Sequence, residues 1–530
     1  MARRARVSIQ VAALLAASAA SCTSILGDFE RGGGDATGAS GGGGGAVASL
    51  VLAPTGDLVR VLRGGSSVLG VTVARSGPVG DVTLVLEGLP AGVTAEPVLF
   101  PASQSSGELL VQATAAAPHG AVVASLRDAA SLATPVDVPL LVADTPGTLD
   151  ASFDSDGALS TLPPGGTTGA AALRVVVQPN GALVVGGTLA ANSGWAVMRF
   201  GPGGAPDATF NGAAVAVLPT TGQLHGLALD VASGKIVATG VSSSQLTVVR
   251  LNADGSPDDA FGNGGVLRTS TVTYSQGSEG WAVAVQPDGK MLVAGTDLAA
   301  PPHGIVLRLE ASGALDASFS GGTFDDRDDT RLESVLVDPD GLVVVAGQDL
   351  AASPPAFWVT RLTSAGEPDA AFGTTGSVSF GSGYHFTHQI VRLPGGDLVL
   401  CGEDHISQSV ASLGRLTPAG VPVWPSGGDI AYAIFGPTNK AWGCAAPADG
   451  KIVFAGFGFG SLEHEGYVVR VDGDGLEDPA FGELGTVAFV PPGGSPPKYS
   501  LYGVALLPDG RIVAVGNKDD AGWFVTRLFD

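Results

Sequence analysis

From about residue 173 onward, short apolar runs alternate with turns rich in Gly, Pro and Asp, and one phrase keeps returning. Its clearest copy is Val283-Ala284-Val285-Gln286-Pro287-Asp288-Gly289-Lys290-Met291-Leu292-Val293-Ala294-Gly295. The turn glycine recurs at Gly181, Gly234, Gly289, Gly341, Gly396, Gly450 and Gly510, in steps of 53, 55, 52, 55, 54 and 60 residues. Each unit reads as strand A (Ala282 to Val285), an Asp-Gly turn, strand B (Met291 to Ala294), a variable loop, strand C (Gly304 to Leu309), a second turn and a short strand D. Asp-Gly between two apolar runs marks a hairpin, because these residues tolerate the positive φ that matches strand twist.

A single four-stranded sheet of this kind leaves apolar surface on both faces, so neighbouring copies must stack. Seven copies predict an all-β domain over residues 146–530, a seven-bladed β-propeller with four-stranded blades. The last unit stops at strand C, Trp523 to Leu528, whereas an orphan strand at Gly157 to Leu162 precedes the first unit. Exchange of that strand between the two ends would close the ring and leave no open edge. These residues resemble the delta-60 repeat family of bacterial β-propellers, whose pattern is an A-V-A-V-x-P-D-G-K-I-V-V-A-G core followed by R-x-x-x-D-G-x-x-D-x-x-F-G. The resemblance implies the fold and carries no assigned catalytic residues.

Residues 47–145 hold about seven alternating strands, from Val47 to Leu52 through Val136 to Val142, which predicts an immunoglobulin-like β-sandwich. The stretch Gly88-Leu89-Pro90-Ala91-Gly92-Val93-Thr94 resembles the strand-turn segment of bacterial surface immunoglobulin-like modules, which implies a spacer. Residues 1–21 have the parts of an export signal: Arg3, Arg4 and Arg6, then the apolar run Val7 to Ala20. That run ends Ala19-Ala20-Ser21-Cys22, which resembles the lipobox of bacterial lipoproteins, with Ala19 where Leu or Val is commoner. The resemblance implies a lipid anchor on Cys22, a place in the cell envelope, and preferably the outer membrane because Thr23 follows. Residues 22–46 carry that cysteine and a Gly-rich stretch that reads as a flexible tether.

Arg199, Arg250, Arg308, Arg361, Arg415, Arg470 and Arg527 end strand C in every unit. Asp150, Asp207, Asp258, Asp316, Asp369 and Asp478, each three residues before a Phe, mark six of the seven C-to-D turns; the fifth has Val423 and Trp424 instead. Residues common to all units are assigned to turns and contacts between blades. Asp325 to Asp329 reads as a solvated loop, and Asp472-Gly473-Asp474-Gly475 as an ordinary turn.

Function is expected where the repeat breaks. The loops entering strand A and those from B to C open on one face, which collects His225, His303, His385, His388, His405 and His464. Counting back from each turn glycine, the start of strand A reads Leu173, Gly226, Trp281, Glu333, His388, Trp442 and Tyr502. Trp281, Glu333, His388, Trp442 and Tyr502 are expected to form a binding face at the central opening. His385, His388, His405 and His464, near Glu403, Asp404, Glu463 and Glu465, are the candidate metal ligands; the sequence does not specify a metal. Cys401 in strand B of the fifth unit and Cys444 in strand A of the sixth fit either a disulfide or two buried thiols.

Composition narrows the partners. The net charge is −23 and no basic stripe is visible, which excludes a nucleic-acid surface. There is no Gly-x-Ser-x-Gly on the strand-to-helix turn of a nucleophile elbow, no His-Glu-x-x-His pair and no reactive-cysteine signature. Binding of a protein or polysaccharide by a monomer without cofactor is therefore the preferred reading. Its rival is a metal-assisted hydrolase, lactonase or lyase working on the same face.

Overall fold

Each repeat folds as the hairpin signals dictate, A to B to C to D, into one antiparallel four-stranded sheet. The third sheet shows the pattern: strand A Ser278–Val285, strand B Met291–Asp297, strand C His303–Leu309 and strand D Thr323–Asp328. Strand D here includes Asp325 to Asp328, so this acidic stretch is paired strand and not the expected loop; the Asp326 carboxylate accepts a hydrogen bond from the Trp358 indole at 2.6 Å. The computed structural model describes residues 49–55, 59–118, 120–163, 165–166, 169–189, 193–269, 276–405, 409–432, 434, 438–459, 464–489, 498–519 and 522–530. The expected export signal of residues 1–21, and Cys22 with the expected tether of residues 22–46, lie outside the described residues.

Seven such sheets follow one another between Ala158 and Leu528. The innermost strand of each contacts that of the next, and the last, Tyr499–Leu506, contacts the first, Ala171–Val177, so the contacts run in a full circle. This arrangement is a β-propeller. The seventh sheet takes its outer strand from the start of the domain: Ala158–Thr161 pairs antiparallel with Gly522–Leu528, Ala158 opposite Thr526 and Thr161 opposite Trp523. Apolar residues from adjacent sheets, such as Val184, Leu224 and Ile236 between the first and second, fill the seams.

The repeated polar residues fasten those seams. Arg308 Nε donates to Asp316 at 2.6 Å, its guanidinium lies 4.7 Å from the centre of the Phe319 ring, and Nη1 reaches the Ser364 carbonyl in the next sheet. Arg199, Arg361, Arg415 and Arg527 reach across in the same way to the carbonyls of Ala253, Pro418, Gly473 and Pro202. Each pair is charge-assisted, buried or half-buried, and geometrically fixed, which suits a joint between rigid sheets.

In the fifth sheet the expected aspartate is missing, and the structure shows what replaces it. Arg415 donates to Asp397 at 2.9 Å. Asp397 occupies the place in the A-to-B turn held by Lys235, Lys290 and Lys451 elsewhere, where the lysine amine also meets the C-to-D aspartate. The carboxylate has moved from one turn to the other, and the lysine has gone with it. Trp424 buries its ring in place of Phe and donates to the Gly473 carbonyl at 3.3 Å.

The amino-terminal module has nine strands where seven are expected, in one four-stranded and one five-stranded sheet. The additional pair, Val93–Ala95 and Val98–Phe100, is only three residues long each and falls where Pro and Gly interrupt the alternation. Val59–Leu62 runs parallel to Val136–Ala143. Val61, Leu84, Phe100, Leu109, Val111 and Leu140 face one another in a dry core.

Candidate functional site

Every strand A carries a β-bulge, and the residue it squeezes out of the ladder is Leu173, His225, Trp281, Glu333, His388, Trp442 or Tyr502. The cause is on strand B. Its repeated glycine lies opposite the residues just before the bulge, and a Cβ there would sit about 2 Å from a strand A carbonyl: 2.2 Å from Glu279 O at Gly295, 2.0 Å from Gln223 O at Gly240, 1.9 Å from Ser500 O at Gly516. Only glycine allows that approach, so the strand B glycine found in each repeat specifies the bulge. A bulge bends the strand and re-aims one side chain. Here it presents seven different side chains at the centre of the ring.

Six of these are the residues obtained by counting back from the turn glycine. In the second sheet the bulged residue is His225 and not Gly226. The reason is the turn: Asp230 N bonds Lys235 O, whereas Gln286 N bonds Lys290 O, so this turn is one residue longer. Gly226 lines the opening beneath the histidine.

The bulged side chains form a nearly continuous belt. His225 stacks on Trp281 with ring centres 4.1 Å apart. Glu333 Oε2 lies 3.6 Å from His388 Nδ1, and His388 stacks on Trp442 at 4.0 Å with only 8° between the planes. Trp442 meets Tyr502 edge-on at 5.6 Å. Trp281, Glu333 and His388 also line a central cavity of about 190 Å³ together with Arg174, Ser334 and Gln389. Trp281, Trp442 and Tyr502 remain partly exposed, so their rings are reachable.

The pKa values of the two belt histidines are shifted in opposite directions. Burial, reinforced by the Arg174 charge, depresses His225 to about 3. Burial also works against the His388 cation, but hydrogen bonds to Glu333 and Glu403 outweigh it and raise its pKa. Glu403, buried behind the belt, meets His388 Nε2 at 3.3 Å, His405 Nε2 at 2.8 Å and Lys440 Nζ at 2.9 Å. Burial would raise the Glu403 pKa; His388 and Lys440 reverse that and bring it to about 2.

The structure thus gathers Trp281, Glu333, His388, Trp442 and Tyr502 at one opening. The candidate metal ligands do not form one cluster. His385 is fully buried, stacked on Phe357 at 4.2 Å, and its Nε2 accepts from Gly383 N at 3.0 Å. His405 sits on the far side of Glu403 from His388, and His464 begins strand C of the sixth sheet, its side chain outside the described residues. Among the described residues no three His, Cys, Asp or Glu side chains are placed to hold a metal ion. Cys401 and Cys444 are joined as a disulfide between the fifth and sixth sheets, Cα atoms 6.3 Å apart. Sequence reasoning put His225 on this face but gave its belt position to Gly226, and it missed Arg174 and Lys440; the longer turn would have corrected the first, while nothing in the sequence distinguishes Arg174 from an ordinary strand residue.

Fold and site together define a β-propeller with a chemically varied central opening. The family model described as "Domain of unknown function (DUF5122) beta-propeller" matches residues 178–210, 232–261 and 286–319. No curated protein matches the chain. Among solved structures the chain is similar to a protein of unknown function from Dyadobacter fermentans, 12% identical over 70% of this chain and 97% of that one, TM-score 0.37. It is also similar to the Dos1 propeller, 11% identical over 85% and 93%, TM-score 0.39. A third is a quinonprotein alcohol dehydrogenase-like protein from Bacteroides thetaiotaomicron, 11% identical over 82% and 94%, TM-score 0.38.

Proposed function

We propose that the protein is a non-catalytic envelope lipoprotein whose propeller binds a sugar unit of a glycan at its central opening. In this reading the seven sheets are the blades of one closed ring of the delta-60 repeat kind, residues 47–145 are an immunoglobulin-like spacer, and Cys22 carries the lipid in the outer membrane. The observation that carries the reading is the belt: its bulges place Trp281, Glu333 and His388 in the wall of a cavity of about 190 Å³, the scale of one sugar ring, and Trp442 and Tyr502 continue the belt from His388 through ring contacts. Aromatic faces with a few fixed polar groups are what a sugar ring needs, apolar C–H faces against rings and hydroxyls against charges. The test is titration of the full-length chain in detergent with a panel of bacterial and plant oligosaccharides. Binding weakened about ten-fold or more by Trp442→Ala, the loss of roughly 1.4 kcal/mol, is the expected result; a panel with no binder sinks the proposal.

A second reading rests on the Glu333–His388–Glu403 chain. An imidazole between two carboxylates at an opening is equipped for proton transfer, which suits a hydrolase or lyase acting on the same sugar. Release of shorter products from a bound oligosaccharide, abolished by His388→Ala, would select it over the binding reading.

A further inference from the structure

We infer that the central opening binds an acidic sugar, such as a uronic acid, and that the Arg174 guanidinium holds its carboxylate. This rests on the sugar-binding reading above and names the class of sugar. One place after the bulges the ring carries Arg174, Gly226, Ala282, Ser334, Gln389, Gly443 and Gly503. Arg174 is the sole charged residue in that layer, and it lines the cavity with Ser334 and Gln389. It is half-buried, and the loss of water around it brings its pKa down to about 10, so it stays charged at neutral pH.

A guanidinium in this setting ordinarily has a carboxylate. Each of the seven arginines at the ends of strand C does: Asp207, Asp258, Asp316, Asp369, Asp397, Asp478 and Asp150 in turn. Arg174 has none among the described residues. Its Nη1 donates only to the Leu173 carbonyl at 2.9 Å and, more weakly, to the Tyr502 carbonyl at 3.4 Å. The carboxylate nearest in influence, Glu333, is engaged by His388, and Glu403 is engaged by His388, His405 and Lys440. His225, the other titratable group near Arg174, stays neutral. In a chain of net charge −23, the opening therefore keeps a cation whose fork of donors is unclaimed on the cavity side. A planar carboxylate matches that fork in two parallel hydrogen bonds, and Trp281 in the same wall offers its face to the ring that bears it.

The experiment titrates the full-length chain in detergent with galacturonate, glucuronate and mannuronate oligosaccharides, with the neutral methyl ester of each, and with sodium sulfate alone. One acid form is expected to bind about ten-fold or more tighter than its ester, as a charge-assisted bidentate pair requires. Arg174→Gln should erase that difference while leaving the ester's affinity in place, and Arg174→Lys should restore part of it. On the unaltered chain, sulfate should displace the acid form better than chloride of equal ionic strength, a result that does not depend on any variant folding. Acid and ester forms binding alike, with Arg174→Gln silent, would overturn the acidic-sugar inference and leave the sugar reading standing. Sulfate bound at Arg174 with no oligosaccharide bound would overturn the sugar reading, and with no ligand bound at all both fall.

Discussion

Arg527, three residues from the end of the chain, donates to Asp150 at 2.6 Å across a sequence separation of 377 residues. Both side chains are almost fully buried. Arg511 Nη1 reaches the same carboxylate oxygen, and Ser152 donates to the other. The two ends of the propeller are thus fastened by the same clasp that joins every other pair of sheets, built from residues of opposite ends of the sequence.

Removing one partner of a buried, hydrogen-bonded pair leaves an uncompensated charge, which costs about 3–5 kcal/mol. Asp150→Ala should lower propeller stability by roughly that amount, measured by urea unfolding at pH 7. A loss below about 1 kcal/mol would show that the pair behaves like an exposed surface bridge.

The same carboxylate gives a pH dependence. Burial opposes ionisation of Asp150, but Ser152, Arg527 and Arg511 prevail and bring it to about 2 from an ordinary value of 3.8. A depressed carboxylate stabilises the fold fully above its unfolded pKa and loses that contribution as pH falls through the folded value. Asp207, Asp258, Asp369 and Asp478 are depressed as well. The melting temperature should therefore drop between about pH 4 and pH 2, and Asp150→Asn should flatten part of that drop.

The belt histidines should titrate in opposite senses, read by NMR of the imidazole nitrogens. His388, raised by Glu333 and Glu403, should remain protonated above 6.5, and its stabilising contribution should fade as pH rises through its folded pKa. His225, lowered to about 3 by burial and Arg174, should stay neutral as pH falls past 6.5, so the fold loses stability over that descent. Glu333→Gln should bring His388 down while leaving His225 unmoved.

The fifth sheet offers a double-mutant cycle. Asp397→Lys deprives Arg415 of its carboxylate, and Val423→Asp alone adds a second one beside it. Each single change should destabilise, and the pair, which recreates the arrangement of the other sheets, should recover most of the loss. A coupling of about 1–3 kcal/mol, favourable in sign, is expected from chemical denaturation; strict additivity would show that the two turns do not share the clasp.

The disulfide closes a loop of 43 residues between two sheets. Chain-entropy reasoning gives it about 4 kcal/mol, so Cys444→Ser should lower the urea midpoint markedly. In the unfolded, unreduced chain Cys401 and Cys444 should react with a thiol reagent only after reduction.

Much of the fold was legible because each sheet repeats one solution: the glycine of the A-to-B turn, the arginine ending strand C and the Asp-x-x-Phe turn each state a local requirement seven or six times over. The swap of Asp397 for Val423 was not legible, since two turns 26 residues apart meet only in the folded sheet. The belt was legible wherever the A-to-B turn kept its length, and slipped by one residue at His225 where the turn did not. Arg174 could not be read as special, because what marks it is the lack of a partner in three dimensions. The two three-residue strands of the amino-terminal module failed for a simpler reason: Val93–Ala95 and Val98–Phe100 are too short to show an alternation.

The pairing of Ala158–Thr161 with Gly522–Leu528 also sets an order of events during synthesis. The strand that finishes the ring is made first and its partner last, so the earliest strand waits through the production of more than three hundred residues with its backbone groups unpaired. Throughout that wait the growing arc has an open edge at each end, the kind of template that recruits other chains. A ribosome that stalls anywhere before Trp523 releases an arc and not a smaller ring, because the strand that pairs with Ala158–Thr161 has not been made.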